Sequence, residues 1–262
     1  MSEPFKRLIQ IMSDLRNPDS GCPWDLEQTH NSLKGALLEE TYELLDALDF
    51  AGNVEIIEEL GDLLLQVIFH AQIGSDNEAF DINDVIQNLN EKLIRRHPHV
   101  FGENHVKTSK EVVGQWEKVK AAERAEKGEG KKSMLAGIST SMPALAYAYA
   151  AIARARRAGF DWEKPEDAYF KVLEEVQEFE NAVYTQDEEA EFGDILLSLV
   201  GVAYQKGIDP EQALRSANNR FFSRFSKIED GARERNLTIA ELTMEQKLAL
   251  WQEAKNSEER VK

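Results

Sequence analysis

Two sets of acidic residues with the same spacing occur in this chain, one in each half. The second set comprises Glu174, Glu175, Glu178, Glu191 and Asp194, and apolar residues surround it. Side chains three and four positions apart share a helix face, so each set concentrates several carboxylates there. Two carboxylates about 5 Å apart repel each other by roughly 3 kcal/mol at an effective dielectric constant near 20. A bound cation would relieve this repulsion, so the pattern indicates metal binding.

The first half of the chain repeats the spacing with Glu39, Glu40, Glu43, Glu59 and Asp62. A predicted turn separates the two motifs of each set, so an antiparallel helix pair would place them face to face. In the second half, Glu175 and Glu178 on one helix would then oppose Glu191 and Asp194 on the next. Carboxylate oxygens of this kind are the ligands that Mg²⁺ and Mn²⁺ prefer. For a single copy, a solvated and ion-paired helix face would be an equal explanation, but the repetition favours metal.

A glycine directly precedes the aspartate of each set, at Gly61 and Gly193. Glycine inside a helix costs about 1 kcal/mol relative to alanine. We therefore predict that the partner helix or a ligand approaches closely at both positions.

Basic and aromatic residues near the second set could bind a phosphorylated ligand. Lys171 precedes Glu174 by three positions and Glu175 by four, so it lies beside the acids. Arg220 and Arg224 share a later helix face and could bind phosphate oxygens; ion pairing with the acidic helices is the alternative.

A tryptophan and a lysine one helical turn apart follow near the end of the chain. Trp251 could stack on a nucleobase and Lys255 could contact a phosphate. A place in the core is the more common role of a tryptophan on an amphipathic helix.

Three other candidate sites are weaker. Glu27 and His30 have the spacing of a di-iron ligand pair, but the second half has no equivalent. His97 and His99 flank a proline in a predicted surface turn. Cys22 has no partner that would make it a nucleophile.

The elements that must position these residues are predicted to be helices throughout. Apolar residues recur with helical periodicity, no segment alternates like a strand, and the predicted class is all-α. Helices are expected over about 31–49 and on to about 74, and over about 165–184 and on to about 207. Thr108 with Glu111 and Thr243 with Gln246 fit capping boxes. The repeated order of elements predicts two tandem helical domains, 1–125 and 138–262, joined by a polar, glycine-rich linker over 126–137.

Composition limits the possible functions. The formal net charge of −17 argues against a nucleic-acid surface, and the single cysteine excludes a disulfide framework. No apolar run has the length of a membrane span and the first residues lack a signal-peptide pattern, so we expect no membrane contact and a cytoplasmic location.

Together these motifs resemble the MazG nucleoside triphosphate pyrophosphohydrolases over essentially the whole length. The resemblance rests on Gly21-Cys22-Pro23-Trp24-Asp25, Glu39-Glu40-Thr41-Tyr42-Glu43, Arg95-Arg96-His97-Pro98-His99-Val100-Phe101 and Gly159-Phe160-Asp161-Trp162. It implies Mg²⁺-dependent hydrolysis of NTP to NMP and pyrophosphate, with Mn²⁺ as a possible substitute, by a homodimer of four-helix units. It also implies that the metal ligands are Glu175, Glu178, Glu191 and Asp194, with Glu40, Glu43, Glu59 and Asp62 as counterparts.

The two copies differ in their basic residues. Lys171 of the second copy corresponds to Ala36 of the first, whereas Arg95 of the first corresponds to Ser223 of the second. We therefore expect the second repeat to be the main active site, with Glu174 orienting the attacking water and Lys171 contacting the triphosphate. The alternatives are a non-catalytic, nucleotide-binding helical regulator and a narrow dUTPase-like or dCTPase-like enzyme.

Overall fold

The structure is a computed structural model, and it describes residues 2–102, 108–126 and 133–259. Within those ranges every regular element is helical and no strand occurs, which confirms the all-α class. The chain divides into two compact units, residues 1–130 and 131–262. Positions 127–132 of the predicted linker lie outside the described residues.

The first unit is organised around one long helix, α4. The helices of this unit are α1 (Glu3–Leu15), α2 (Pro23–Glu27), α3 (Lys34–Phe50), α4 (Asn53–Asp76), α5 (Ile82–Arg96), α6 (Pro98–Phe101) and α7 (Ser109–Glu126). Helix α4 packs against α3, α1 and α5. Its C-terminal half contributes Ile68, Phe69 and Ile73 to a core that also contains Met12 and Leu33. The N-terminal half of α4 and its neighbour α3 carry the first acidic set.

The second unit contains the corresponding helix pair. Its helices are α8 (Ala144–Arg157), α9 (Pro165–Asn181), α10 (Thr185–Lys206), α11 (Pro210–Glu234) and α12 (Met244–Glu259), with a 3₁₀ turn over Ile239–Glu241. Helix α10 packs against α9 and α8, and α11 packs against α12. A core cluster of Ile228, Ala232, Leu242 and Leu250 joins the last two helices. The α9–α10 pair carries the second acidic set.

Most helix boundaries agree with the sequence signals. Thr243 and Gln246 exchange the two hydrogen bonds of a capping box, at 2.8 and 3.2 Å. Helix α10 ends at Lys206 and is followed by Gly207, whose φ of +67° is the left-handed conformation that glycine adopts easily. Helix α9 ends at Asn181 rather than near 184, because Ala182 is already extended. The short helices α2 and α6, each with proline at its start, were not predicted from the sequence.

Candidate functional site

The α9–α10 pair brings three acids of the second set together. Carboxylate oxygens of Glu175, Glu178 and Glu191 all lie within 4.8 Å of one another. An ion bound at about 2.1 Å from each would hold its ligand oxygens no more than about 4.2 Å apart, twice that bond length. Small side-chain rotations would therefore let all three bind one ion. Asp194 lies one turn beyond Glu191 and lines a pocket together with Glu175.

Lys171 holds two of the acids of α9. Its Nζ lies 2.7 Å from an Oε1 of Glu174 and 2.7 Å from an Oε1 of Glu175, as the sequence spacing predicted. These hydrogen bonds raise the pKa of Lys171, the one to Glu174 contributing most. Glu175 is only 6% exposed, so in this structure the lysine supplies the positive charge that a buried carboxylate needs. Burial, and then the charge of Glu175, raise the pKa of Glu178.

The first acidic set has the same geometry without a lysine. Oxygens of Glu40, Glu43 and Glu59 lie within 4.8 Å of one another. Burial raises the pKa of Glu40, with Asp62 and Glu43 adding further repulsion. Burial and the charge of Glu43 likewise raise the pKa of Glu59. One oxygen of Glu59, Oε2, is buried without a hydrogen-bond partner, which is the condition that a bound cation would satisfy.

The two glycines do not mark a close helix contact. A Cβ built on Gly61 or Gly193 would meet no atom within 4 Å. The prediction that the partner helix of this chain approaches there is therefore wrong, because both helix faces are open at these positions. An approaching ligand is the part of that prediction that stays untested.

A pocket of about 330 Å³ adjoins the acids of the second unit. It lies among α8, the loop after α8, α9 and α10. Lys171, Glu175 and Asp194 line one part of it, and the remaining wall is mostly apolar and includes Ile152, Ala155, Phe160, Trp162 and Leu197. Sequence reasoning did not find this pocket, because residues 45 positions apart form its wall, as the hydrogen bond from Arg156 to Gly201 shows.

Comparison with known proteins identifies the family of this chain. The family model of the MazG nucleotide pyrophosphohydrolase domain matches residues 28–101, which include the first acidic set. A nucleoside triphosphate pyrophosphohydrolase/pyrophosphatase MazG from Thermotoga maritima is 46% identical over 97% of this chain and 97% of its own length. The nucleoside triphosphate pyrophosphohydrolase of Escherichia coli (strain K12) is 40% identical over 96% and 97%. The chain belongs to the MazG family.

A third relative is longer than this chain. The uncharacterized protein YabN of Bacillus subtilis is 45% identical over 98% of this chain, which matches 52% of that protein. Both acidic sets of the present chain fall inside the segment shared with the three relatives.

Apart from Lys171 on α9, the basic and aromatic residues predicted to bind substrate lie on α11 and α12, whereas the second acidic set lies on α9 and α10. The guanidinium of Arg224 lies 5.5 Å from the ring centre of Trp251. Trp251 also contacts Phe221 and packs against the core cluster of the last two helices, so it has a structural role. Arg220 and Lys255 are exposed. Binding of substrate by these four residues stays a prediction.

The weaker candidate sites have structural partners. His30 stacks on His70, with their Nδ1 atoms 2.8 Å apart, rather than pairing with Glu27 around a metal. Nδ1 of His97 donates a 2.7 Å hydrogen bond to the carbonyl of Leu93, and the ring of His97 contacts that of His99. In the part of the chain that the structure describes, no helix is both long and apolar enough to cross a membrane.

Proposed function

We propose that this protein hydrolyses nucleoside triphosphates to the monophosphate and pyrophosphate at the α9–α10 acids. The observation that carries the proposal is the convergence of Glu175, Glu178 and Glu191 beside a pocket large enough for a small ligand. Two relatives that match this chain over nearly their full length are named nucleoside triphosphate pyrophosphohydrolases, and these names support this reaction.

The donor set fits a divalent, oxygen-preferring metal. We assign Glu175, Glu178, Glu191 and Asp194 as the residues that would hold Mg²⁺, for which Mn²⁺ could substitute. The partnerless Oε2 of Glu59 in the matching first set supports a cation at this arrangement of acids. A bound Mg²⁺ would neutralise charge on the triphosphate and make a water more acidic.

Lys171 and Glu174 have separate roles in this proposal. Lys171 holds Glu174 and Glu175 in the structure described here. A metal held by Glu175 would neutralise that carboxylate, and the ammonium of Lys171 would then be available for the triphosphate. Glu174, which is exposed at the edge of the acids, accepts a hydrogen bond from the attacking water and orients it.

The residues of α11 and α12 complete the proposed phosphate contacts. Arg220, Arg224 and Lys255 would stabilise the charge that develops on the phosphates. Trp251, whose ring lies beside the guanidinium of Arg224, is also proposed to contact the substrate. These assignments are independent of the roles of the acids.

A homodimer is also part of the proposal. Large apolar side chains remain exposed on both acid-bearing helix pairs, among them Ile57 and Leu60 on α4 and Phe192 and Leu199 on α10. Apolar surface of this extent is typical of an interface. Light scattering coupled to size-exclusion chromatography should give twice the mass of one chain. A monomer at micromolar concentration would contradict the proposed homodimer.

The decisive assay is pyrophosphate release from a panel of NTPs with and without Mg²⁺. Matched acid-to-amide variants in the two repeats locate the site. We expect Glu178→Gln to reduce kcat by at least about 100-fold, because it removes one charge from the metal ligands. The equivalent Glu43→Gln should have a much smaller effect.

Two outcomes would contradict this assignment. Activity that survives in Glu178→Gln but disappears in Glu43→Gln would move the site to the first repeat. Tight NTP binding by calorimetry without any turnover would indicate a regulator instead of an enzyme.

A further inference from the structure

Two histidines from distant parts of the first unit meet outside the acidic sets. Nδ1 of His30, in the turn before α3, lies 2.8 Å from Nδ1 of His70 on α4, whereas the ring centres are 5.1 Å apart. Because the nitrogens are much closer together than the ring centres, each Nδ1 faces the other. His70 lies eight residues beyond Asp62, or about 12 Å along α4, so the pair is separate from the first acidic set.

Two imidazole nitrogens that face each other need a positive centre between them. A neutral imidazole has one ring N–H, and its other nitrogen carries a lone pair. If both rings carried their hydrogen on Nε2, two lone pairs would face each other across 2.8 Å and repel. The arrangement therefore fits either one shared proton or a cation that binds both Nδ1 atoms.

The separation of the two nitrogens suits a transition-metal ion. An ion bound at about 2.0–2.1 Å from each nitrogen would hold them about 2.9–3.4 Å apart, for square or tetrahedral bond angles. The observed 2.8 Å needs an opening of only a few tenths of an ångström. Imidazole nitrogen is a ligand for Zn²⁺, Ni²⁺ and Cu²⁺, whereas Mg²⁺ prefers oxygen. Burial, and then the charge of His30, lower the pKa of His70, which favours the neutral ring that binds metal.

The turn that carries His30 is ordered by its own hydrogen bonds. The backbone N–H of Thr29 donates to Oγ of Ser32 at 2.9 Å, and the backbone N–H of Ser32 donates to Oγ1 of Thr29 at 3.1 Å. Leu33, at the end of the turn, is 2% exposed and belongs to the core. The ring of His30 also lies beside that of Phe80, with centres 6.1 Å apart. These contacts fix the position of His30 without a ligand.

A buried arginine attaches the same turn to α4. The side chain of Arg16 is 8% exposed, forms a 2.6 Å ion pair with Asp76 at the end of α4 and donates a 3.3 Å hydrogen bond to the carbonyl of Gln28. Phe69, next to His70 on α4, is 3% exposed. Both imidazoles therefore project from backbone that packing and hydrogen bonds hold in place, which is the preorganisation that a metal site requires.

We propose that His30 and His70 bind a divalent transition-metal ion such as Zn²⁺ through their Nδ1 atoms. The proton between the rings then moves to Nε2 of the ring that carried it, so no net proton is released. In the described part of the chain, the groups of three or more possible ligands are the two acidic sets, so water completes the coordination beside the exposed His30. The ion cross-links the turn before α3 to α4 and stabilises the first unit, a role beyond the proposed hydrolysis.

Calorimetric titration with Zn²⁺ in excess Mg²⁺ tests this site. The Mg²⁺ competes for the acids, and Zn²⁺ that still binds there is common to all variants. His30→Gln and His70→Gln each remove one ligand but keep a side chain that forms hydrogen bonds. His97→Gln is the matched control, because His97 is in the same unit but its Nδ1 is bonded to the carbonyl of Leu93. The melting temperature of each variant is the second readout.

We expect wild type and His97→Gln to bind one more Zn²⁺ per chain than His30→Gln and His70→Gln. At ten times its Kd for this site, Zn²⁺ should raise Tm by roughly 3–8 °C more in wild type and His97→Gln than in the other two variants. Equal stoichiometry and equal shifts in all four proteins would overturn the proposal, because the two rings would then share only a proton. Since His30 is exposed, His30→Gln decides alone if His70→Gln does not fold. Neither readout depends on turnover, so the result is independent of the proposed function.

Discussion

Lys171→Met removes a cation from the buried carboxylate of Glu175. Among the described residues, Lys171 is the only cation that forms an ion pair with Glu175. The Nζ and Oε1 atoms are 2.7 Å apart, and two unit charges at that distance interact by about 6 kcal/mol at an effective dielectric constant near 20. Exposed pairs contribute about 0–1 kcal/mol, and breaking a buried pair costs about 3–5 kcal/mol. The lysine side chain is 32% exposed and that of Glu175 is 7% exposed. We therefore expect a loss of about 2 kcal/mol without metal.

Scanning calorimetry with and without Mg²⁺ measures this effect. In the absence of metal, 2 kcal/mol corresponds to a fall in Tm of roughly 5–10 °C for a unit of this size. Saturating Mg²⁺ should close most of the difference, because the ion supplies the charge that the substitution removed. By linkage, the variant should also bind Mg²⁺ more tightly than wild type does. Lys171→Arg keeps the charge and is the control.

The first repeat offers the reverse substitution. Ala36→Lys would place a lysine beside Glu39 and Glu40 and should raise the stability of the metal-free protein. The reasoning is refuted if Lys171→Met loses the same stability with and without Mg²⁺, since lysine and metal would then not share one position. No loss in the metal-free variant would refute it as well.

Three further predictions concern the first unit. Burial, and then the charge of His30, lower the pKa of His70, so the unfolded chain takes up this proton first as the pH falls. The contribution of neutral His70 to stability is therefore complete above about pH 6.5 and is lost as the pH falls below that value. His70→Gln should flatten the dependence of Tm on pH in this range. Asp81→Ala should lower the urea concentration at the midpoint of unfolding, because the Asp81 side chain accepts hydrogen bonds from the backbone N–H groups of Asn83 and Asp84 at the start of α5, and an unchanged midpoint would contradict this role. Ile68→Ala, at a side chain that is 2% exposed, should cost about 2–5 kcal/mol, whereas Ile57→Ala on the same helix should spare the fold and weaken the dimer, as sedimentation at several concentrations would detect.

Interactions between residues close in sequence were predictable. The contacts of Lys171 with Glu174 and Glu175 follow from helical spacing of three and four, and the facing acids follow from a short turn between two helices. The boundaries at Gly207 and Thr243 carried recognisable capping signals. Local periodicity and capping therefore predicted the helices and the acidic cluster.

Interactions between distant residues were not predictable from spacing. The ion pair of Arg156 and its hydrogen bond to Gly201 depend on how α8 and α10 pack, and only the structure contains that information. One half of the explanation offered for Gly193, a close approach of the partner helix, was wrong for the same reason, since a helical glycine can mark either a close contact or an open space. The five-residue helix α2 was not predicted because it is too short for a periodic pattern.

The acids of the second set are close neighbours along the chain, on two helices joined by the turn from Ala182 to Tyr184. Contacts of short sequence separation form early in folding, because closing a small loop loses little entropy. We therefore expect the α9–α10 hairpin to reach its metal-ligand arrangement before α8 docks and brings Arg156 to Gly201. In that order of assembly the acids come first and the pocket last. Metal available during synthesis would therefore accelerate the folding of the second unit as well as stabilise its final state.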